Sequence, residues 1–95
     1  MQIRSATLED AEAIASLASQ LGYPAASAEV AQRYAVLQQR SDHAVFVAEE
    51  QDGTVSGWVH VFLARRLFMP AFAELGGIVV EETRRGAGVG SALLV

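Results

Sequence analysis

The stretch that most constrains this chain is Glu74-Leu75-Gly76-Gly77-Ile78-Val79-Val80-Glu81-Glu82-Thr83-Arg84-Arg85-Gly86-Ala87-Gly88-Val89-Gly90-Ser91-Ala92-Leu93-Leu94. Leu75 to Val80 is apolar and rich in β-branched residues, the pattern of a strand. Gly86, Gly88 and Gly90 alternate through a tight loop, and helix-forming residues resume from Ser91 to Leu94. In such a strand–loop–helix unit the backbone N–H groups turn inward around an anion, and the helix N-terminus adds about half a positive charge. Glycine leaves room for a phosphate to approach and permits positive φ where the turn requires it. Arg84 and Arg85 place two fixed cations beside the loop. Two phosphate motifs are excluded. A Walker loop needs a Lys, and the chain has none. The dinucleotide pattern G-x-G-x-x-G fails in both frames, with Ser91 or Leu93 at the third glycine position. What fits is Arg-x-x-Gly-x-Gly, met by Arg85, Gly88 and Gly90.

The rest of the chain supplies a sheet and helices around that unit. Gln2 to Ala6 reads as a first strand. Thr7 is the N-cap of a helix over about Leu8 to Leu21, with Asp10 completing a capping-box-like pattern. Leu8, Ala11, Ile14, Ala15, Ala18 and Leu21 recur at helical spacing, and Gly22 and Pro24 stop the helix. A second helix opens at Ser27, with Val30, Tyr34 and Leu37 as its buried stripe. Ala44 to Ala48 is an uninterrupted apolar run, suited to a central strand covered on both faces. Asp52-Gly53 marks a hairpin tip. Val55 to Leu63 is the returning strand, with Trp58, His60 and Phe62 on one face and Val59, Val61 and Leu63 on the other. Gly57 predicts a bulge or a close approach within it. Arg65 to Pro70 reads as a connecting loop, and Ala73 to Val80 as a fourth strand. The order is β-α-α-β-β-β-α.

A chain of 95 residues makes one domain, and a 52% apolar fraction is ample for its core. A formal net charge of −4 argues against a general nucleic-acid binder. The absence of cysteine removes disulfides, Cys-ligated metals and a Cys nucleophile. His43 and His60 are too few for a zinc site, so no metal is expected. No apolar run of about 18 residues predicts a membrane span, and no N-terminal signal is present, so the expected location is cytoplasmic. Nothing at Leu93-Leu94-Val95 resembles a helix stop. The single domain, residues 1–95, is therefore expected to be truncated at its C-terminal end. An unfinished sheet edge favours pairing with another chain, a homodimer included.

Arg85, Gly88 and Gly90, preceded by Gly77-Ile78-Val79-Val80 and followed by Ser91-Ala92-Leu93-Leu94, resemble the acetyl-CoA-binding motif of the GNAT superfamily of N-acetyltransferases. The element order resembles the N-terminal part of the same α/β fold, a mixed, mainly antiparallel sheet flanked by helices. The resemblance implies transfer of an acetyl group from acetyl-CoA to a primary amine of a small molecule or protein. It implies that Arg85, Gly86, Ala87, Gly88, Val89, Gly90 and Ser91 hold the pyrophosphate, mainly through N–H groups. It implies that the pantetheine arm lies along the strand at Ile78, Val79 and Val80, with an N–H near Ile78 polarising the thioester. Relatives often carry an acidic residue before the apolar triplet. Here Gly76 and Gly77 stand there, and the nearest upstream carboxylate is Glu74. Strand parity places Glu74 on the face of Gly76 and Ile78, which nominates it as general base through water. His60 is a second base candidate, and Tyr23, between the first two helices, an acceptor contact. The family's usual general acid, a Tyr, is expected beyond Val95. The alternative is a non-catalytic acyl-CoA-binding or regulatory module. A domain binding another phosphate ligand is a third reading.

Overall fold

The apolar run around Ala44–Ala48 has no polar face, and the computed structural model places it inside the sheet with both faces covered. The structure describes residues 1–94. The elements are β1 (Gln2–Ser5), α1 (Ala11–Gln20), α2 (Ser27–Gln38), β2 (His43–Glu49), β3 (Val55–Arg66), β4 (Met69–Val80) and α3 (Val89–Leu93). The strands lie side by side in the order β1-β2-β3-β4, and each of the three pairings is antiparallel. The expected helix end beyond Leu94 lies outside the described residues.

Strand alternation sorts the core into two layers. On one face Ala48 and Val59 are buried with Val89 and Leu93 of α3, and Ile78 and Val80 pack against them. Gly57 permits that approach: a Cβ there would lie 3.1 Å from side-chain atoms of both Val89 and Leu93. The close approach predicted at Gly57 is therefore real. The neighbouring irregularity falls at Ser56, skipped between the Ala48–Gly57 and Glu49–Val55 pairs. On the other face Val47, Ala6 and Ile14 form a second core, flanked by Val30, Tyr34, Val45 and Trp58.

Helix α1 is pinned by charge as well as packing. A 3-10 turn, Leu8–Asp10, precedes it. The buried Asp10 carboxylate accepts both Arg4 guanidinium nitrogens at 2.8 and 3.0 Å and the Thr7 N–H at 2.7 Å. Arg4 holds Asp10 below the usual carboxylate range. The expected capping pair of Thr7 and Asp10 is thus tied to β1. Helix α2 covers its side less completely. Val30, Tyr34 and Leu37 face inward but stay half-buried, and the Tyr34 hydroxyl donates to the Ala6 carbonyl at 2.7 Å.

The Asp52-Gly53 hairpin forms as its chemistry predicts. Asp52 Oδ1 accepts the Thr54 N–H at 3.0 Å, and Gly53 takes φ +89°. The expected loop from Arg65 to Pro70 does not exist. β3 runs on to Arg66, β4 starts at Met69, and only Leu67-Phe68 turns. Pro70 is tolerated there because β4 is an edge strand among the described residues, so its missing N–H breaks no ladder.

Candidate functional site

The glycine loop has the conformation its sequence demands. Gly86 and Gly88 take φ of +86° and +87°, and a Cβ at either would meet nothing within 4 Å. These glycines are required by backbone geometry in open space. Helix α3 begins at Val89, two residues earlier than the sequence pattern suggested, with Gly88 as its left-handed N-cap. Gly90 is therefore a helical residue with ordinary φ. Among the described residues, no protein acceptor receives the N–H of Gly86, Gly88, Val89, Gly90 or Ser91. The loop's arginines are both engaged. Arg84 pairs with Glu50, and Arg85 Nε donates to the Val80 carbonyl at 3.1 Å. Arg85 thus ties the loop to the end of β4.

Upstream on β4, the Gly76-Gly77 pair forms a bulge. His60 pairs with Gly77 and Val61 with Leu75, so Gly76 is the extra residue. This shift changes the parity of everything before it. Ile78 pairs with Val59 on the α3 face, while Glu74 pairs with Phe62 on the opposite face. Glu74 and Ile78 therefore do not share a face, contrary to simple alternation. The Glu74 carboxylate lies 3.7 Å from Arg66 Nη2 and is 41% exposed.

The bulge glycines are held by neighbours rather than by φ. A Cβ on Gly76 would lie 2.5 Å from His60 Nδ1, and one on Gly77 would lie 2.9 Å from the Trp58 ring. Trp58 and His60 face a cavity of about 290 Å³ beneath α1 and α2, lined also by Ile14, Ala18, Tyr23, Val30, Arg33 and Tyr34. No carboxylate lines it. A second cavity, of about 420 Å³, is bounded by Trp58, Tyr23, Leu21 and the β4 segment Gly76–Val79. Trp58 is common to both, and its indole N–H is the one buried side-chain polar group without a partner among the described residues. Tyr23 borders both cavities and is 70% exposed, so it does not pack at the helix junction.

His43 Nδ1 lies 2.9 Å from His60 Nε2, the two rings stack, and Phe62 stacks on His43 and lies tilted against His60. Burial, reinforced by His43, pushes His60 below the ordinary value of 6.5. Sequence reasoning treated the histidines as isolated. The signal that joins them was available: counting outward from the Asp52-Gly53 tip brings positions 43 and 60 onto neighbouring strands.

Residues 8–94 match the acetyltransferase (GNAT) family. The chain belongs to the GNAT acetyltransferase family. Its fold agrees with solved structures of that kind. A GNAT family acetyltransferase from Staphylococcus aureus superposes with TM-score 0.82 at 18% identity, over 98% of this chain and 71% of that one. Glucosamine-6-phosphate N-acetyltransferase from Arabidopsis thaliana gives 0.82 at 20%, over 98% and 68%. An aminoglycoside 6′-N-acetyltransferase from Acinetobacter haemolyticus gives 0.82 at 18%, over 99% and 66%. At these identities the likeness shows the fold alone. Comparison with curated proteins gives no match. Family membership places the chain among acyltransferases. Among the described residues, no helix is long and apolar enough to cross a membrane.

Proposed function

We propose that this GNAT domain transfers an acetyl group from acetyl-CoA to a primary amine of a small molecule or protein. The observation that carries the reading is the loop of free N–H groups at Gly86, Gly88, Val89, Gly90 and Ser91, which closes the end of an edge strand carrying a bulge. A pyrophosphate at that loop would accept hydrogen bonds from preorganised donors that no protein group uses. The thioester arm then runs along Ile78, Val79 and Val80 toward the bulge, adding to the free edge of β4. Both arginine side chains are engaged, and the N–H groups of Arg85 and Ala87 donate to Glu82 and Arg84, so these two residues shape the loop while Gly86 supplies a free N–H. Cytoplasmic location and a homodimer complete the proposal.

The acceptor site is the cavity under α1 and α2. Its lining is apolar and includes Arg33 but no carboxylate. An amine entering it meets no anion that would hold it as an ammonium, and desolvation favours its neutral, nucleophilic form. The exposed Tyr23 offers a hydrogen bond at its open side. Glu74 enters as a base candidate that would act through water, from a position where Arg66 is its nearest charge.

The test is calorimetric titration with acetyl-CoA, followed by thiol release with a panel of amines. Saturable binding with amine-dependent thiol release is expected. Tighter binding of ATP or NAD than of CoA would overturn the reading. One observation favours the second reading, a non-catalytic acyl-CoA-binding module: glycines, not a carboxylate, occupy the two positions before Ile78. That reading predicts binding with no turnover.

A further inference from the structure

Three side chains on the α1/α2 face of the sheet stand in a row. Asp42 is held by Arg40, which donates to both carboxylate oxygens at 3.1 Å. That guanidinium keeps Asp42 below the usual carboxylate range. Asp42 Oδ1 lies 3.9 Å from His43 Nε2. His43 Nδ1 lies 2.9 Å from His60 Nε2. His60 Nδ1, at the far end, is pressed against the space that a Gly76 side chain would occupy.

One tautomer pair suits this order: the Asp42 carboxylate, 3.9 Å away and beyond direct hydrogen-bond reach, attracts the His43 proton to Nε2, and Nδ1 is then an acceptor. In that pair His60 donates its Nε2–H to His43, and its unprotonated Nδ1 faces Gly76 at the bulge. Phe62 supports this arrangement, stacked on His43 at a centroid distance of 5.4 Å and tilted against His60 at 5.7 Å. We propose that His60 is the base that removes the acceptor amine's proton, and that His43 and Asp42 form a relay carrying it to solvent. The inference rests on the acetyltransferase reading above and replaces Glu74 in the base's role.

The step balances as follows. The amine nitrogen attacks the thioester carbonyl carbon, a C–N bond forms, and the C–S bond breaks to release thiolate. The nitrogen's surplus proton passes to His60 Nδ1. The Nε2 proton of His60 moves to His43 Nδ1, the Nε2 proton of His43 leaves toward Asp42 and water, and the thiolate is protonated from water.

The charged and titratable surroundings suit the role. Beyond His43, the groups facing the cavity with His60 are Arg33 and Tyr34 of α2 and Tyr23 of the preceding loop. Glu74 and Arg66, paired with each other, lie beside Phe62 farther along β3 and β4. Among the described residues lining the cavity, none is a carboxylate. Burial and His43 both keep His60 neutral at pH 7.

Two measurements on the intact chain decide the matter. In wild type labelled with 15N-histidine, imidazole NMR at pH 7 is expected to show neutral His60 protonated on Nε2. His43→Phe is expected to erase that tautomer preference. An Nδ1–H tautomer or an imidazolium at His60 in the wild type would overturn the relay. In kinetics, His60→Gln is expected to lower kcat by about 100-fold or more and to remove the acid limb of its pH profile, with acetyl-CoA affinity unchanged. An unaltered rate and profile would overturn the relay while leaving the acetyltransferase reading intact. Failure of the wild type to acetylate any amine, with CoA bound, would overturn that reading and the role of His60 with it.

Discussion

Two pairs of glycines bracket the proposed donor site, and they are there for opposite reasons. Gly86 and Gly88 adopt positive φ in open space. Gly76 and Gly77 have ordinary φ but are crowded, with His60 and Trp58 standing where side chains would go. The first pair shapes the backbone and leaves a vacancy for something outside the protein. The second pair gives its space to two side chains of the neighbouring strand. Glycine in a motif therefore carries two messages, and only the structure tells which applies. Positive φ in open space shapes a turn and leaves room beside it, in the loop as at the Gly53 hairpin tip. A strand that is bare because its neighbours are large is built to bring those neighbours forward.

The comparison breaks most severely at Gly88. Gly88→Glu places a carboxylate beside the proposed pyrophosphate, and like charges in contact cost several kcal/mol. Acetyl-CoA affinity is expected to fall by about 100-fold or more, about 2.7 kcal/mol, with the circular dichroism spectrum retained. Unchanged affinity in calorimetry would remove the loop from the donor site. At the crowded pair, Gly76→Val is expected to destabilise the fold by about 1–3 kcal/mol through overpacking. The His60 ring cannot swing aside cheaply, since it is bonded to and stacked with His43 and lies against Phe62. The cost is expected to shrink by at least half in a His60→Ala background, measured by urea melts as a double-mutant cycle. An undiminished cost would mean that His60 is not what excludes a side chain at Gly76.

Gly86→Ala sharpens the contrast on the loop side. Its Cβ would touch nothing, so only the left-handed backbone resists it, at about 1–2 kcal/mol. A cost that some second substitution relieves would contradict this, because no neighbour is responsible.

The same distinction explains what could be read from the chain in advance. The strand–loop–helix unit, the Asp-Gly hairpin and the capping residues Thr7 and Asp10 were legible because each is local chemistry at fixed spacing. The face of Glu74 was not. Alternation assumes a regular strand, and one inserted residue at Gly76 reverses every face before it. The length of the β3–β4 hairpin was missed because Arg65, Arg66 and Pro70 look like loop residues. On an edge ladder their side chains need only reach solvent, and Arg66 does so across the Phe72 ring at 5.5 Å. The pairing of His43 with His60 joins positions on two strands, so it is read only by counting register across the Asp52-Gly53 hairpin and not from either strand alone.

The two regions should also differ in their response to pH. His60 is held below its ordinary value, so the unfolded chain binds the additional proton. Its contribution to stability is full above pH 6.5 and declines as pH falls below it. Urea melts of wild type and His60→Gln are expected to converge in their pH dependence above that point and to diverge below it, wild type falling more steeply. Parallel curves down to pH 5 would show that burial of His60 costs its protonated form nothing. Gly86→Ala, remote from any histidine, should leave the wild-type pH dependence intact.

The smallest effect is expected at Gly90, which belongs to neither pair. It completes the sequence motif, yet it lies inside α3 without positive φ, and an added Cβ would sit at an ordinary 3.7 Å from Val80. Backbone strain and crowding are both absent. Gly90→Ala should therefore stabilise the fold by about 0.5–1 kcal/mol, the usual gain on replacing glycine within a helix. Its N–H is unchanged by the substitution, so acetyl-CoA affinity should stay within about twofold, under about 0.5 kcal/mol. A gain in stability accompanied by a large loss of affinity would assign Gly90 to the ligand's side of the comparison, as a position kept bare for close approach. Loss of both would mean that α3 packs more tightly on β4 than an ordinary contact distance allows.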